Sequence, residues 1–375
     1  YGTVGRMRAL IAVDLLWLVP GRVGGSEEYA VRTLLSYARH GSSDLRPVVF
    51  LSDQAAEEHP DLGRFFDLET RPLANQRRWR RVAAEMTWLA GRVRRLDAVH
   101  HFGGRIPIRT GRRVAVTVHD LQPLDHPENF SMAKRYYLGR ALPRSIQRAD
   151  LVVTVSELVG EAVGRRFGVD GSRLATVSAG VKCVASTPTT PVDPPTVLYP
   201  AATYPHKRHE LLIRAFEYLA DDHPTVRLLL TGGAGRSESA IRNSVASSRH
   251  LGRIDRPGRI PARDLAERMR DATVVAFPSA YEGFGLPVLE SMAAGVPVLV
   301  ADGTPAADLT GPRCRVAADA GALEWASRLR TVLDDVTLRQ DLAVDGLERA
   351  TAYGCEATAE ALDQAWRRLV GHRRY

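Results

Sequence analysis

Short apolar runs rich in β-branched residues recur along the whole chain, separated by stretches with helical spacing. "MRALIAVD" (7–14), "RPVVFLSD" (46–53), "DAVHHF" (97–102), "RVAVTVHD" (113–120), "DLVVTVS" (150–156) and "RLATVSAG" (173–180) are short and nearly continuous, as strands buried on both faces are. Between the first two, "SEEYAVRTLLSYARHG" (26–41) combines a cap-like Ser26, apolar positions three and four apart and a closing glycine, which predicts a helix. A polar stretch then interrupts the pattern: "VASTPTTPVDPP" (184–195) sets Pro188, Pro191, Pro194 and Pro195 among small residues and reads as a linker. Beyond it the alternation resumes with strands at 196–202, 226–233, 273–279 and 296–302 and helices at 209–222 and about 262–271. The expected fold class is α/β: two doubly wound Rossmann-like domains facing a cleft, over residues 1–183 and 196–355. The last segment, 356–375, is a helix expected to cross back to the first domain.

Composition narrows the class without choosing a function. The 375 residues are 45% apolar and 25% charged, as in soluble globular proteins, and no apolar run reaches the eighteen residues of a spanning helix. The start does not read as a signal peptide, so the expected location is the cytoplasm, with peripheral contact at the inner membrane face as an option. Three scattered cysteines make no CxxC pair, and no His/Cys cluster has metal-ligand spacing, so a divalent ion is not implied. A net charge of +8 favours anionic partners. Sparse aromatics and the lack of a nucleic-acid-binding module argue against nucleic acid.

The most specific chemistry lies in "AYEGFGLPVLESMAAGVPVLV" (280–300). A strand ends at Ser279, a glycine-rich loop follows, and Pro287 is placed to open a helix, where its missing N–H costs nothing. Gly283 and Gly285 let the backbone approach a ligand, and the N–H groups of Phe284, Gly285 and Leu286, with the helix dipole behind them, suit an anion. The flanking carboxylates, Glu282 and Glu290, need targets other than phosphate, and vicinal sugar hydroxyls are such targets. A hexose, a diphosphate and a ribose in a row would satisfy the whole stretch, which points to a nucleotide sugar.

Glu282-x7-Glu290 in this setting resembles the signature of retaining GT-B glycosyltransferases of the family-four, group 1 kind. Four more segments are similar to that family in the correct order: "PGRVGGSEEYAVRTL" (20–34), "VTVHDLQPLDHPENF" (116–130), "LVVTVSELVGEAV" (151–163) and "YPAATYPHKRHELLIRAF" (199–216). The "PHK-x-H" detail looks most like the mannosyltransferase-like branch that builds bacterial surface polysaccharides. The resemblance implies that Glu290 accepts hydrogen bonds from the ribose. It implies that Glu282 contacts the donor sugar, that Lys207 stabilises the leaving diphosphate, and that His119 hydrogen-bonds the sugar. Gly24 and Gly25 would bring their loop close to the diphosphate. Asp120 is expected to orient its loop, and His100 and His101 are candidates for the acceptor side.

Two departures from the family stand out. "YPAAT" occupies the place where relatives carry a second cation, leaving Arg208 or Arg253 to substitute, and "TPAADL" stands where relatives have Pro-Glu. The implied reaction is same-face displacement with retention, which needs neither nucleophile–base pair nor metal, the electrostatic work falling to lysine, helix dipole and backbone donors. The acceptor stays open among glycan, lipid-linked saccharide and natural product. A basic amphipathic stretch, "NQRRWRRVAAEMTWLAGRVRRL" (75–96), suits an anionic membrane surface, or equally a surface helix packing Trp79, Val82, Met86, Leu89 and Val93 while its arginines are solvated. Rival readings are a GT-B sugar-nucleotide epimerase and a non-catalytic nucleotide-sugar-binding relative. A nicotinamide enzyme is disfavoured because "VDLLWLVPGRVGG" places its glycines late and wrongly spaced after the first strand.

Overall fold

The computed structural model describes residues 8–21, 24–73, 78–111, 113–181, 185, 187–190 and 192–371. Cys183, Arg77 and Pro191 lie outside the described residues. The chain divides into two compact units, Tyr1–Gly180 with Cys355–Tyr375, and Val181–Gly354. Residues 356–371 therefore belong to the first unit.

The first unit holds a seven-stranded sheet of β1 (Ala9–Asp14), β2 (Leu45–Ser52), β3 (Asp67–Arg71), β4 (Ala98–His101), β5 (Val114–Val118), β6 (Leu151–Thr154) and β7 (Leu174–Thr176). Its order is β3-β2-β1-β4-β5-β6-β7, and every pairing is parallel. The second unit holds β8 (Thr196–Pro200), β9 (Arg227–Thr231), β10 (Ile254–Gly258), β11 (Val274–Phe277), β12 (Val298–Ala301) and β13 (Arg315–Val316), ordered β10-β9-β8-β11-β12-β13 and again all parallel. The chain order reverses between β1 and β4 in one sheet and between β8 and β11 in the other. Loops leaving the strands on either side of such a switch point diverge and open a crevice at the carboxyl edge.

Burial explains the central strands. β5, β6, β11 and β12 are buried at every position, as parallel strands covered by helices on both faces require. The strands absent from the sequence reading are β3 (DLETR), β10 (IDRPG) and the two-residue β13, and all three lie at sheet edges. An edge strand covers less apolar surface and tolerates charge and proline, so its pattern is polar.

Two helix starts differ from expectation. The first helix runs Gly25–His40 and is preceded by Gly24 at φ 63°, without a side-chain cap, so Ser26 sits inside the first turn. The left-handed backbone at Gly24 turns the chain into the helix, which a β-carbon would strain. The helix of the glutamate motif starts at Leu286, with Pro287 second.

The basic stretch is not one continuous helix. Arg78–Ala84 is α-helical, Glu85–Leu89 forms a π turn, and Ala90–Arg92 and Val93–Arg95 complete it. The extra residue of the π turn rotates the buried face: Ala84, Glu85, Leu89, Ala90 and Val93 are inside, Glu85 is ion-paired with Arg105, and Trp79 is exposed. The predicted apolar stripe with Trp79 in it is corrected accordingly.

At the end of the chain, the Cys355–Gly371 helix packs along Gly25–His40 and drives Trp366, fully buried, against Tyr37 at 4.7 Å between ring centres.

Candidate active site

In the second unit, Lys207 and Glu282 meet at the switch point. Lys207 closes the Pro205–Lys207 turn after β8, and Glu282 lies in the loop after β11, the strand that pairs with β8. Lys207 Nζ donates to Glu282 Oε1 at 2.5 Å, with the side chains only 16% and 10% exposed. The ammonium also faces the Phe277 ring at 5.5 Å.

Tyr199, buried in β8, locks the two loops together. Its hydroxyl donates to the Lys207 carbonyl at 2.7 Å and, in the same geometry, accepts from Ser279 Oγ at 2.9 Å. Burial first, then the charge of Glu282, pushes its phenol well above the ordinary value, so it stays protonated and can keep donating. A backbone bond from Ala280 N to His206 O, 2.8 Å, adds a second tie between the loops.

Arg208, next in the chain, is the described non-glycine residue with positive φ, at 51°. An L-residue in that region is strained by roughly 1–2 kcal/mol. The turn reverses the chain into the His209–Asp222 helix, and Arg208 Nη1 donates to Ala318 O at 2.8 Å. Arg253, the other suggested cation, is excluded from the site. Its guanidinium donates to His223 O and Ala220 O at the far end of the His209–Asp222 helix and contacts His250.

The Gly283–Leu286 loop carries Phe284 inward, where its ring packs edge-on to Tyr353 at 5.9 Å. Gly285 has φ 104°, and a β-carbon there would lie 2.7 Å from Ala306 Cβ. Ala306 belongs to "TPAADL", so the small residue in this departure from the family is the one that lets Gly285 close against the Pro305–Leu309 helix. Glu290 sits half-buried on the second turn of Leu286–Ala293.

The segment "TGGAGRSE" (231–238), which leaves the end of β9, is zipped to the loop after β8. Thr203 N donates to Gly233 O at 3.1 Å and Ser237 N to Thr203 O at 2.8 Å. Thr203 Oγ1 donates to Glu238 Oε2 at 3.0 Å. Glu238 is ion-paired with Arg256, which, with Thr203 and Arg242, holds its carboxyl down at about 2. Sequence reasoning found none of this network, because each partner is an ordinary polar residue until the loops are brought together.

In the first unit, His119 directly follows β5 and donates from Nε2 to Phe102 O at 2.7 Å, with Tyr29 edge-on at 5.2 Å. Burial lowers its pKa to about 4, so the ring is neutral near pH 7 and Nδ1 carries the lone pair. Gly24 and Gly25 have open space where a β-carbon would stand. Asp120 Oδ1 accepts from Gln122 N at 3.0 Å, an Asx-type bond that shapes the loop after His119.

His100 and His101 are corrected: they are interior anchors, not an acceptor wall. Trp366 Nε1 donates to His100 Nδ1 at 3.0 Å, so His100 Nε2 holds the proton and donates to Thr117 Oγ1 at 2.8 Å. Full burial, with His101 and His119 nearby, lowers the His100 pKa to about 3. His101 bonds Asp14 at 2.7 Å and Thr110 at 2.9 Å and is 1% exposed.

Comparison with known proteins identifies the family and the fold. The family model for glycosyl transferases group 1 covers residues 186–348, and that for glycosyltransferase family 4 covers 23–184. The chain belongs to these GT-B glycosyltransferases. Its curated relatives include a D-inositol 3-phosphate glycosyltransferase of Kineococcus radiotolerans, 28% identical over 94% of this chain and 92% of that protein. The O-antigen chain mannosyltransferase B of Escherichia coli is 26% identical over 65% of this chain and 67% of its own length. Among solved structures, Anabaena HepE in complex with UDP and glucose superposes with a TM-score of 0.74 at 17% identity, covering 96% of this chain and 99% of that one. The sucrose-phosphate synthase of Thermosynechococcus elongatus superposes at 0.73 with 20% identity, over 96% and 99%. At those identities the likeness establishes the GT-B fold. Among the described residues, no helix is long and apolar enough to cross a membrane.

Proposed function

We propose that this glycosyltransferase moves a hexose-type sugar, mannose-like, from a nucleoside diphosphate sugar to a hydroxyl of a glycan, lipid-linked or natural-product acceptor, with retention and without a divalent ion. The observation that carries the reading is the Lys207–Glu282 pair, shielded from water at the carboxyl edge where the loops after β8 and β11 leave the sheet. A cation there offsets charge developing on a departing diphosphate, and water exclusion strengthens the effect. Glu282 then serves the sugar, Glu290 the ribose, and the Gly283–Leu286 backbone, with Arg208 beside Lys207, the phosphates. In this reading the neutral His119 serves the donor sugar through Nδ1, and the Gly24–Gly25 backbone approaches the diphosphate. The UDP and glucose bound by HepE support a nucleotide-sugar donor, and the E. coli relative supports mannose. The exposed Trp79, beneath the Arg80 guanidinium at 5.3 Å, is consistent with a peripheral membrane contact through this basic stretch.

Calorimetric titration of the full chain with UDP, GDP, dTDP and ADP tests the donor site. Selective binding of one of them, weakened at least tenfold by Glu290→Ala, is the expected result. Absence of binding to a folded protein would overturn it. Retention is then read from the anomeric coupling constant of the product, and an inverted product refutes the same-face step.

A further inference from the structure

We infer that Tyr204 is the platform on which the nucleobase of the donor stacks, an assignment that rests on the nucleotide-sugar reading above and deepens it. Two aromatic rings of the second unit are exposed among the described residues, Tyr204 at 40% and Tyr218 at 43%. Tyr218 lies on the His209–Asp222 helix, whereas Tyr204 stands on the loop after β8, at the carboxyl edge of the sheet. An exposed aromatic on a mobile loop would mean little. This one is held from three sides.

Its own backbone is tied in both directions. Tyr204 N donates to Ala202 O at 2.8 Å, and the Tyr204 carbonyl accepts from Lys207 N at 3.0 Å, which ties its backbone to the turn that carries Lys207. On one side lies Gly235. A β-carbon at that position would fall 2.5 Å from Thr203 O and 3.2 Å from Tyr204 Cδ1, so the "TGGAGRSE" loop reaches the ring only because residue 235 is glycine. Gly235 N donates to Thr203 Oγ1 at 2.7 Å and fixes that approach. His206 stacks nearly parallel to the ring, with centres 5.8 Å apart and planes 12° apart, and its carbonyl is tied to Ala280.

Position selects the ligand group. Lys207 meets Glu282 on the β11 side of β8, while Tyr204 meets Gly235 on the β9 side. A donor with its diphosphate at Lys207 and its sugar toward Glu282 has its nucleoside end left for the other side. A rigid, half-open aromatic face is a low-entropy partner for a flat base, and such stacking is tolerant of base identity. Base selection then falls to other groups of the loop.

The test compares nucleoside diphosphates with inorganic pyrophosphate by calorimetry on the full chain, using wild type, Tyr204→Ala and Tyr204→Phe. Stacking predicts that Tyr204→Ala weakens the preferred nucleoside diphosphate by about 5- to 150-fold, the span of base–aromatic stacking. Pyrophosphate affinity stays within twofold, and Tyr204→Phe binds like wild type. Equal loss for nucleotide and pyrophosphate would make Tyr204 a support for Lys207 and overturn the assignment. So would unchanged nucleotide binding in Tyr204→Ala, or a loss in Tyr204→Phe matching that in Tyr204→Ala. If wild type binds pyrophosphate but no nucleoside diphosphate, the donor reading falls as well. Circular dichroism of both variants confirms that the exposed side chain was not needed for folding.

Discussion

Breaking the Lys207–Glu282 pair should have opposite effects on diphosphate binding depending on which partner is removed. At 2.5 Å the gross attraction is about 6–7 kcal/mol with an effective dielectric constant near 20. Desolvation offsets much of that, leaving a coupling of roughly 1–3 kcal/mol between the two side chains. Lys207→Ala removes the cation and uncovers a carboxylate that then repels phosphate, so nucleoside diphosphate affinity should fall by about 2–3 kcal/mol, some 30- to 150-fold. Glu282→Gln frees Lys207 from its competitor. It should leave the affinity for a nucleoside diphosphate lacking the sugar unchanged or up to about tenfold tighter, while transfer slows by at least 100-fold. Stability follows the same logic. In urea, Lys207→Ala should cost about 2–3 kcal/mol, and adding Glu282→Gln should recover part of it, with m-values compared so that lost cooperativity is not counted as energy. Calorimetry and urea melts of the four proteins form one cycle. Weaker diphosphate binding in Glu282→Gln, or a stability cycle additive within about 0.5 kcal/mol, would refute the pairing argument.

Other expectations follow from the packing and titration of individual residues. Gly285→Ala places a methyl 2.7 Å from Ala306 Cβ at φ 104°, and should destabilise by about 2–4 kcal/mol in urea while weakening nucleotide binding. Trp366→Phe keeps the ring packing but leaves His100 Nδ1 without its donor, for an expected loss of about 1–3 kcal/mol against about 3–5 for Trp366→Ala. His100, His119 and His209 are held neutral, mainly by burial, with values lowered to about 3, 4 and 4. Each binds a proton near 6.5 when unfolded, so their stabilisation is complete above that pH and is withdrawn as pH falls toward about 4, at up to ~1.4 kcal/mol per pH unit per histidine. Urea midpoints measured from pH 8 to 4 check the sign: a flat profile below pH 6.5 would contradict it. Over the same range above pH 5, His119 should leave no titration in kcat.

What the sequence discloses about this fold divides along the sheets themselves. The all-buried strands announce themselves through continuous β-branched runs, because a strand covered on both faces has no polar side to show. DLETR, IDRPG and the Arg315–Val316 pair escaped because an edge strand has solvent on one flank and admits charge or proline there. The glutamates and Lys207 were readable as residue types at a spacing, with the roles supplied by family resemblance. Their pairing was not readable, since Lys207 and Glu282 are 75 residues apart. What joins them is topology: the strand order reverses between β8 and β11, so two strands distant in sequence become neighbours and the bases of their outgoing loops lie side by side. Histidines mislead for the complementary reason. His100 and His119 both end or near the end of a central strand, and only the arrival of Trp366 from the last helix distinguishes them. It occupies one ring nitrogen of His100 and Thr117 takes the other, whereas His119 is bonded through Nε2 to a backbone carbonyl.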